Sequence, residues 1–379
     1  MSDMIKNLKI GISDTILMDL YGGGPIMAFN LYLGLKRTYN CIPINLNQNG
    51  KILNPPFSKF YTRSNKIAKR FIRYFVRRDK FMNFFSSILI KKLEPLDVLI
   101  SNAGTDYLLK NKLSYDNLIV IKHGSFDLST KDGLQFLARS NFLISKAKDY
   151  RVIALNKKDY IDLSRTYKDK AVLIHNGVKY KNTEQIPDIS KIISQKINNK
   201  SLILYLGRLE ESQKKVSELI FSARDIKNKN FIIIIAGEGP DKEKYIKLTY
   251  SLGLQDKIIF TGFVPENLKV ALYKSADIFV SPSKNESFGL TTLEAMHYGD
   301  IVLTTRNNGS EEIINDKING FFIESNHNDI SSKINYIMSL KKSKLINIKR
   351  NAIKKSNYFS YEKMILSYIK TIKSFYLQN

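Results

Sequence analysis

Short apolar runs alternate with longer segments of helical period along most of the chain. The runs at residues 8–13 (LKIGIS), 97–101 (DVLIS), 118–124 (LIVIKHG), 150–155 (YRVIAL) and 171–178 (AVLIHNGV) contain few polar alternations. Runs of that length and composition suit strands of a parallel sheet buried on both faces, joined by helices as βαβ units. A polar stretch at 179–200 follows, and then a second alternating series: 201–207 (SLILYLG), 231–237 (FIIIIAG), 257–262 (KIIFTG), 277–283 (DIFVSPS) and 300–305 (DIVLTT). The pattern predicts an α/β protein of two doubly wound domains in tandem. A ligand is then expected in the cleft between them, at the carboxyl ends of the strands.

Length agrees, since 379 residues at about 150 per domain make two domains. The 43% apolar and 25% charged fractions exclude a disordered or fibrous chain. A net charge of +25 favours anionic partners without choosing among membrane, nucleic acid and phosphorylated ligand. Much of that excess sits in residues 58–92, where 11 Lys or Arg meet one acid, Asp79. Lys66, Lys69, Arg70, Arg73, Arg77 and Lys80 recur at steps of three and four beside Phe71, Phe75, Met82 and Phe85, a basic amphipathic helix. A solvated charged face, an anionic lipid surface and nucleic acid all fit such a stripe. The single Cys41 excludes an internal disulfide and points to a reducing compartment, with the cytoplasm as the expected location. No apolar run approaches the roughly 18 residues that cross a bilayer, and the first residues lack the apolar core of a signal peptide. Any membrane association is therefore expected to be peripheral.

Several segments carry candidate chemistry at strand ends. Gly22, Gly23 and Gly24, before Pro25, follow the first strand and precede a helical pattern at 26–36. Backbone N–H groups there could meet an anion, or the loop could be a tight structural turn. Gly207 and Arg208 close a strand, and Lys214 follows six residues after Arg208, two fixed charges that suit a diphosphate or simply a charged surface. Residues 281–296 (SPSKNESFGLTTLEAM) put Glu286 in the turn after a strand and Glu294 one to two turns into the next helix. Both carboxylates can then face a ligand rich in hydroxyls, with the N–H groups of Gly289, Leu290 and Thr291 free for an anion. His123 ends a strand in IVIKHG, and His175 in LIHNGV reads as a packing residue. No D-x-D triplet or carboxylate cage occurs, so no essential metal or other cofactor is expected.

Taken in order, GGGP, the HG pair, HNGV, LGRL with its later Lys, AGEGP, FTGFVP, the E-x7-E segment and NGSEEII resemble the retaining glycosyltransferases of family 4. That resemblance implies a GT-B fold: two Rossmann-like domains facing across a cleft, with a C-terminal helix crossing back to the first. It implies an acceptor domain at residues 1–180, a nucleotide-sugar domain at 181–359 and the returning helix at 360–379. Arg208 and Lys214 match the donor-diphosphate clamp, Glu294 the carboxylate on the ribose hydroxyls, and Glu286 the one on the donor sugar. Gly207, Gly289, Leu290 and Thr291 match backbone positions around phosphate and sugar, and Gly23 and Gly24 the loop closing over the donor. His123 matches the histidine near the transferring sugar, and Phe263 and Val264 the loop that holds the nucleobase. Lys215 departs from the family, standing where a Gly often follows the Lys; Asn308 and the Asp300–Ile301 pair depart as well.

The expected activity is transfer of a sugar, with retention, from a nucleotide sugar to a hydroxyl of a lipid-linked or surface-glycan acceptor. Residues 62–92 are expected to touch an anionic membrane surface. A soluble sugar or sugar-phosphate acceptor is one alternative, and a non-catalytic basic binding module is the other. No nucleic-acid motif or aromatic stacking platform accompanies the charge, so nucleic acid is not expected as a partner.

Overall fold

The computed structural model describes residues 7–13, 23–44, 47–48, 51–52, 95–102, 114–124, 126–180 and 200–377. The basic stripe within 58–92 and nearly all of the polar stretch at 179–200 lie outside these residues. The chain divides into two compact units, Met1–Ile174 with Met364–Asn379, and His175–Lys363. The division falls just ahead of HNGV because this segment is tied to the second unit. Val178 donates its N–H to the Phe359 carbonyl (3.2 Å) and accepts from Tyr361 N–H (3.3 Å). A Cβ on Gly177 would lie 2.3 Å from the Ser360 carbonyl oxygen, so the two backbones touch there.

The first unit runs β1 (Lys9–Ser13), α1 (Gly23–Leu35), β2 (Asn40–Ile44), a two-residue ladder of β3 (Asn47–Gln48) with β4 (Lys51–Ile52), β5 (Leu96–Asn102), β6 (Tyr115–Ile121), α2 (Lys131–Ile144), β7 (Asp149–Ala154), α3 (Lys157–Tyr167) and β8 (Ala171–Leu173). Its main sheet is parallel, in the order β2-β1-β5-β6-β7-β8. The apolar runs form the inner strands, where Ile10, Ile12, Leu99, Ile100 and Leu118–Ile121 are fully buried. β2 was not among the predicted strands. Its five residues NCIPI include Pro43, which only an edge strand accommodates readily.

The second unit runs β9 (Ser201–Leu206), α4 (Glu211–Lys214), α5 (Val216–Ser222), β10 (Phe231–Ala236), α6 (Lys242–Ser251), β11 (Ile258–Gly262), α7 (Glu266–Ser275), β12 (Ile278–Ser281), α8 (Leu290–Tyr298), β13 (Ile301–Thr305), α9 (Ser310–Ile313), β14 (Phe321–Ile323), α10 (His327–Ser339) and α11 (Lys342–Tyr358). Its parallel sheet is ordered β11-β10-β9-β12-β13-β14. The edge strand β14 is again an addition to the predicted set, too short to stand out as a run. The chain starts in the middle at β9, builds outward to β11, then returns to place β12 on the other side of β9. That reversal opens a crevice beyond the carboxyl ends of β9 and β12, the position where doubly wound sheets bind ligands.

A last helix, α12 (Tyr361–Ser374), begins in the second unit, and from Met364 onward it groups with the first. There Asn117 donates from Nδ2 to the Tyr376 hydroxyl (3.1 Å), and the Arg151 guanidinium lies 4.9 Å from the Phe375 ring centre. Among the described residues, no helix is long and apolar enough to cross a membrane.

One buried group works against the fold. Asp300, between α8 and β13, has no solvent exposure, and neither carboxylate oxygen has a hydrogen-bond partner. Burial pushes its pKa well above the usual carboxylate range; Lys349 opposes this and Asp277 adds to it. A carboxyl whose folded pKa lies above its unfolded value stabilises fully only below the unfolded pKa, and loses that contribution as pH rises. Asp300→Leu, close in shape and without the unpaired oxygens, is expected to raise stability at pH 7.5 by about 1–3 kcal/mol. Denaturant melts should show the gain shrinking toward pH 4, where the native carboxyl is protonated.

Candidate functional site

Backbone contacts between strand ends set the floor of the crevice in the second unit. Gly207 N–H donates to Ala236 O (3.0 Å), Leu209 N–H to Glu238 O (2.9 Å) and Gly237 N–H to Gly262 O (2.9 Å). A Cβ on Gly237 would sit 1.9 Å from the Gly207 carbonyl oxygen, and Gly237 has φ +142°, so only glycine permits this approach. The β9 end is thereby fixed, and Arg208 leaves it half-buried, paired with Glu210 at 3.0 Å. The buried Tyr205 hydroxyl donates to the Arg208 carbonyl (2.9 Å). Burial, and then the nearby Glu286, hold that phenol neutral far above its usual range.

Lys214 is the last residue of the one-turn helix α4, which ends because Lys215 turns left-handed (φ 51°, ψ 39°). A glycine would adopt that conformation without the cost a Cβ adds, about 1 kcal/mol. Glu211 braces the same turn, accepting from Ser217 Oγ (2.6 Å) and the Tyr245 hydroxyl (2.9 Å). Lys214 Nζ forms an ion pair with Glu286 Oε1, both side chains about one-fifth exposed. The two loops are also joined through the backbone, Lys284 N–H to Gln213 O at 2.8 Å. The cation after β9 and the carboxylate after β12 thus meet across the crevice.

Beyond Glu286 the chain passes through Gly289 (φ +83°) into α8, whose N-terminus no side chain caps. Leu290 and Thr291 therefore present first-turn N–H groups at the positive end of the helix dipole. Gly309 fixes the approach: its N–H donates to Glu286 O (3.0 Å), and a Cβ on it would lie 2.5 Å from the backbone of Phe288. Glu294, the fifth residue of α8, accepts from Lys269 Nζ at Oε1 (2.7 Å) and from the Tyr273 hydroxyl at Oε2 (3.0 Å). Phe263, after β11, is 58% exposed, and Val264 beside it packs on the core.

Arg208, Lys214, Glu286, Gly289–Thr291 and Glu294 thus emerge from the two strands flanking the reversal. In the comparisons with known proteins, residues 188–355 match the family described as glycosyl transferases group 1. This segment is a group 1 glycosyltransferase domain. A relative from Methanocaldococcus jannaschii, an uncharacterized glycosyltransferase, is 34% identical over 177 residues, 44% of each chain. The alpha-monoglucosyldiacylglycerol synthase of Streptococcus pneumoniae is 28% identical over 176 residues, 44% of this chain and 40% of that one. The chain spans about half the length of the curated relatives it matches. Among solved structures, Anabaena Alr3699/HepE in complex with UDP and glucose aligns with 97% of this chain and 100% of its own at TM-score 0.70 and 17% identity. That likeness, with two parallel-sheet Rossmann-like units, gives the GT-B fold.

In the first unit, Gly23 and Gly24 open α1 itself, three residues ahead of the predicted helix start, with Pro25 in a first turn that tolerates it. His123 follows β6. Its Nε2 is buried without a hydrogen-bond partner, and burial lowers its pKa to about 4, so it is a neutral imidazole at pH 7. His123 can therefore accept or donate a hydrogen bond there, but does not serve as a cationic acid. Beside it Lys122, with 1% exposure, pairs with Asp159 at 2.8 Å.

One pair in the glycosyltransferase domain, Lys269 with Tyr273, does not stand out from the sequence. Their spacing of four places them on one face of α7, which was the available signal. His175 packs between Phe288 and Phe359 as expected, and its Nε2 also lies 3.1 Å from Glu312 Oε2.

Proposed function

We propose that this chain is a retaining, family 4 glycosyltransferase that moves a sugar from a nucleotide sugar to a hydroxyl acceptor without an essential metal. The observation that carries the reading is the Lys214–Glu286 pair beside the uncapped N-terminus of α8, at the strand reversal. Breaking the anomeric C–O bond builds negative charge on the leaving diphosphate. Arg208, Lys214 and the N–H groups at 289–291 are fixed in advance for that charge. Glu286, ion-paired with Lys214, is placed to orient the sugar hydroxyls, and Glu294 to accept from the ribose, with Phe263 and Val264 against the base. In a front-face attack the acceptor oxygen bonds to the anomeric carbon as the phosphate oxygen leaves, and the acceptor's proton passes to that oxygen. His123, neutral at working pH, assists by hydrogen bonding rather than by proton donation.

A lipid-linked acceptor at a cytoplasmic membrane surface is the favoured substrate. It is supported by the basic, aromatic sequence at 62–92 and by the name of the Streptococcus pneumoniae relative, a synthase of a glucosylated diacylglycerol. Flotation with anionic vesicles tests this part, and failure to bind would leave a soluble acceptor.

The donor site is tested by thermal shift against a panel of nucleoside diphosphates and their sugars, in EDTA. One base is expected to stabilise the protein by about 2.7 kcal/mol at 100 times its dissociation constant, with the shift lost in Glu294→Ala. Stabilisation by none of them would overturn the reading.

A further inference from the structure

Glu294 does not stand in the site by its own rotamer. It lies on α8, while Lys269 and Tyr273, four residues apart on α7, each take one of its oxygens. Lys269 is 18% exposed, and its Nζ also reaches Glu266 Oε2 at 3.2 Å. Burial alone would lower the Lys269 pKa, but Glu294 and Glu266 outweigh it and the net direction is upward, so the ammonium stays charged. Tyr273 is fully buried, and the Thr291 carbonyl, 3.3 Å from its hydroxyl, is an alternative acceptor for the same proton. The tyrosine hydroxyl thus lies between the carboxylate and the first turn of α8.

We infer that Lys269 and Tyr273 are positioning residues that set the plane of the Glu294 carboxylate and so make the site selective for a nucleotide with an intact ribose cis-diol. The inference rests on the reading of Glu294 as the ribose carboxylate. An ionised carboxylate has about four lone-pair sites, so one bond to each oxygen leaves one on each for a ligand hydroxyl. Two neighbouring hydroxyls need both oxygens at a fixed spacing and tilt. An unbraced glutamate would have to give up rotamer freedom on binding, which reduces the benefit of each new bond. The two braces have already ordered it.

The test compares the affinities of UDP, GDP and ADP with those of their 2′,3′-dideoxy counterparts. Wild type is expected to prefer the ribose form of its nucleotide by at least about tenfold, the value of one charge-assisted hydrogen bond. Glu294→Ala should erase that preference. Lys269→Met should lower it about tenfold and Tyr273→Phe about threefold, both with dideoxy affinity unchanged, while Lys269→Arg retains most of it. Unchanged dideoxy affinity also shows that each variant is folded, a readout that a merely structural role would not separate from ribose binding. If Glu294→Ala erases the preference but Lys269→Met and Tyr273→Phe keep it, the positioning role is overturned and the donor site stands. If Glu294→Ala leaves the preference intact, the reading of the site fails and the inference with it.

Discussion

Lys214→Met is expected to lower turnover by a factor on the order of 10²–10³ while leaving the thermal unfolding of the protein within a few degrees of wild type. The size follows from where the charge acts. Lys214 ends a one-turn helix at the mouth of the crevice, and its partner Glu286 is itself about one-fifth exposed, so water can reach the carboxylate when the cation is gone. Loss of the pair should therefore cost little folding energy, as partly exposed pairs do. In the proposed reaction turnover should respond differently, because a departing diphosphate would gather charge as the glycosidic bond breaks, and a fixed cation stabilises that state more than the ground state. Steady-state rates should show the loss mainly in kcat. Lys214→Arg should recover part of the rate, limited by the different reach of the guanidinium. A loss confined to KM would assign Lys214 to ground-state binding instead.

How far the sequence discloses this molecule depends on the range of each interaction. Buried parallel strands announce themselves locally: FIIIIA is apolar throughout because both faces of β10 are covered, and the structure buries all six residues. Edge strands have no such requirement. β2, with its proline, and the three-residue β14 offer no long apolar run to read. The segment 281–296 was also legible, since glycine before a helix and carboxylates eight apart are local features, and Glu286 and Glu294 do lie where the spacing put them. The partners of those carboxylates are not local. Lys214 is 72 residues from Glu286, and Lys269 is 25 from Glu294. Only the strand order, which turns back between β11 and β12, brings α4, α7 and α8 together.

Two residues that the sequence sets apart also acquire physical content. Lys215 carries a conformational cost as the left-handed residue that stops α4 directly after Lys214. Asp300 leaves two unpaired oxygens at the amino end of β13, opposite the strand ends that carry the candidate site.

The largest effect on folding is expected from Lys122→Met, a loss of about 3–5 kcal/mol. Lys122 sits one residue past β6 with 1% exposure, and Asp159, at 2% exposure, receives its ammonium at 2.8 Å. The ammonium also donates to Gly124 O (3.2 Å) and lies 4.4 Å from the Phe126 ring centre. Asp159 accepts from Asn156 Nδ2 (2.8 Å) and gives its own N–H to the Asn156 side chain that caps α3. Methionine fills similar space but strands a carboxylate where water cannot reach it, and this uncompensated charge accounts for most of the loss. In a unit of this size the melting temperature should fall by roughly 6–20 °C. The double variant Lys122→Met, Asp159→Leu removes both charges and should recover more than half of the loss, a coupling that a double-mutant cycle measures directly. Because His123 and Gly124 (φ +107°) follow Lys122 in the chain, the same cycle read in turnover separates two roles. If the pair matters only for folding, the double variant regains both stability and rate. If it also holds the His123 loop in place, stability returns while the rate remains low.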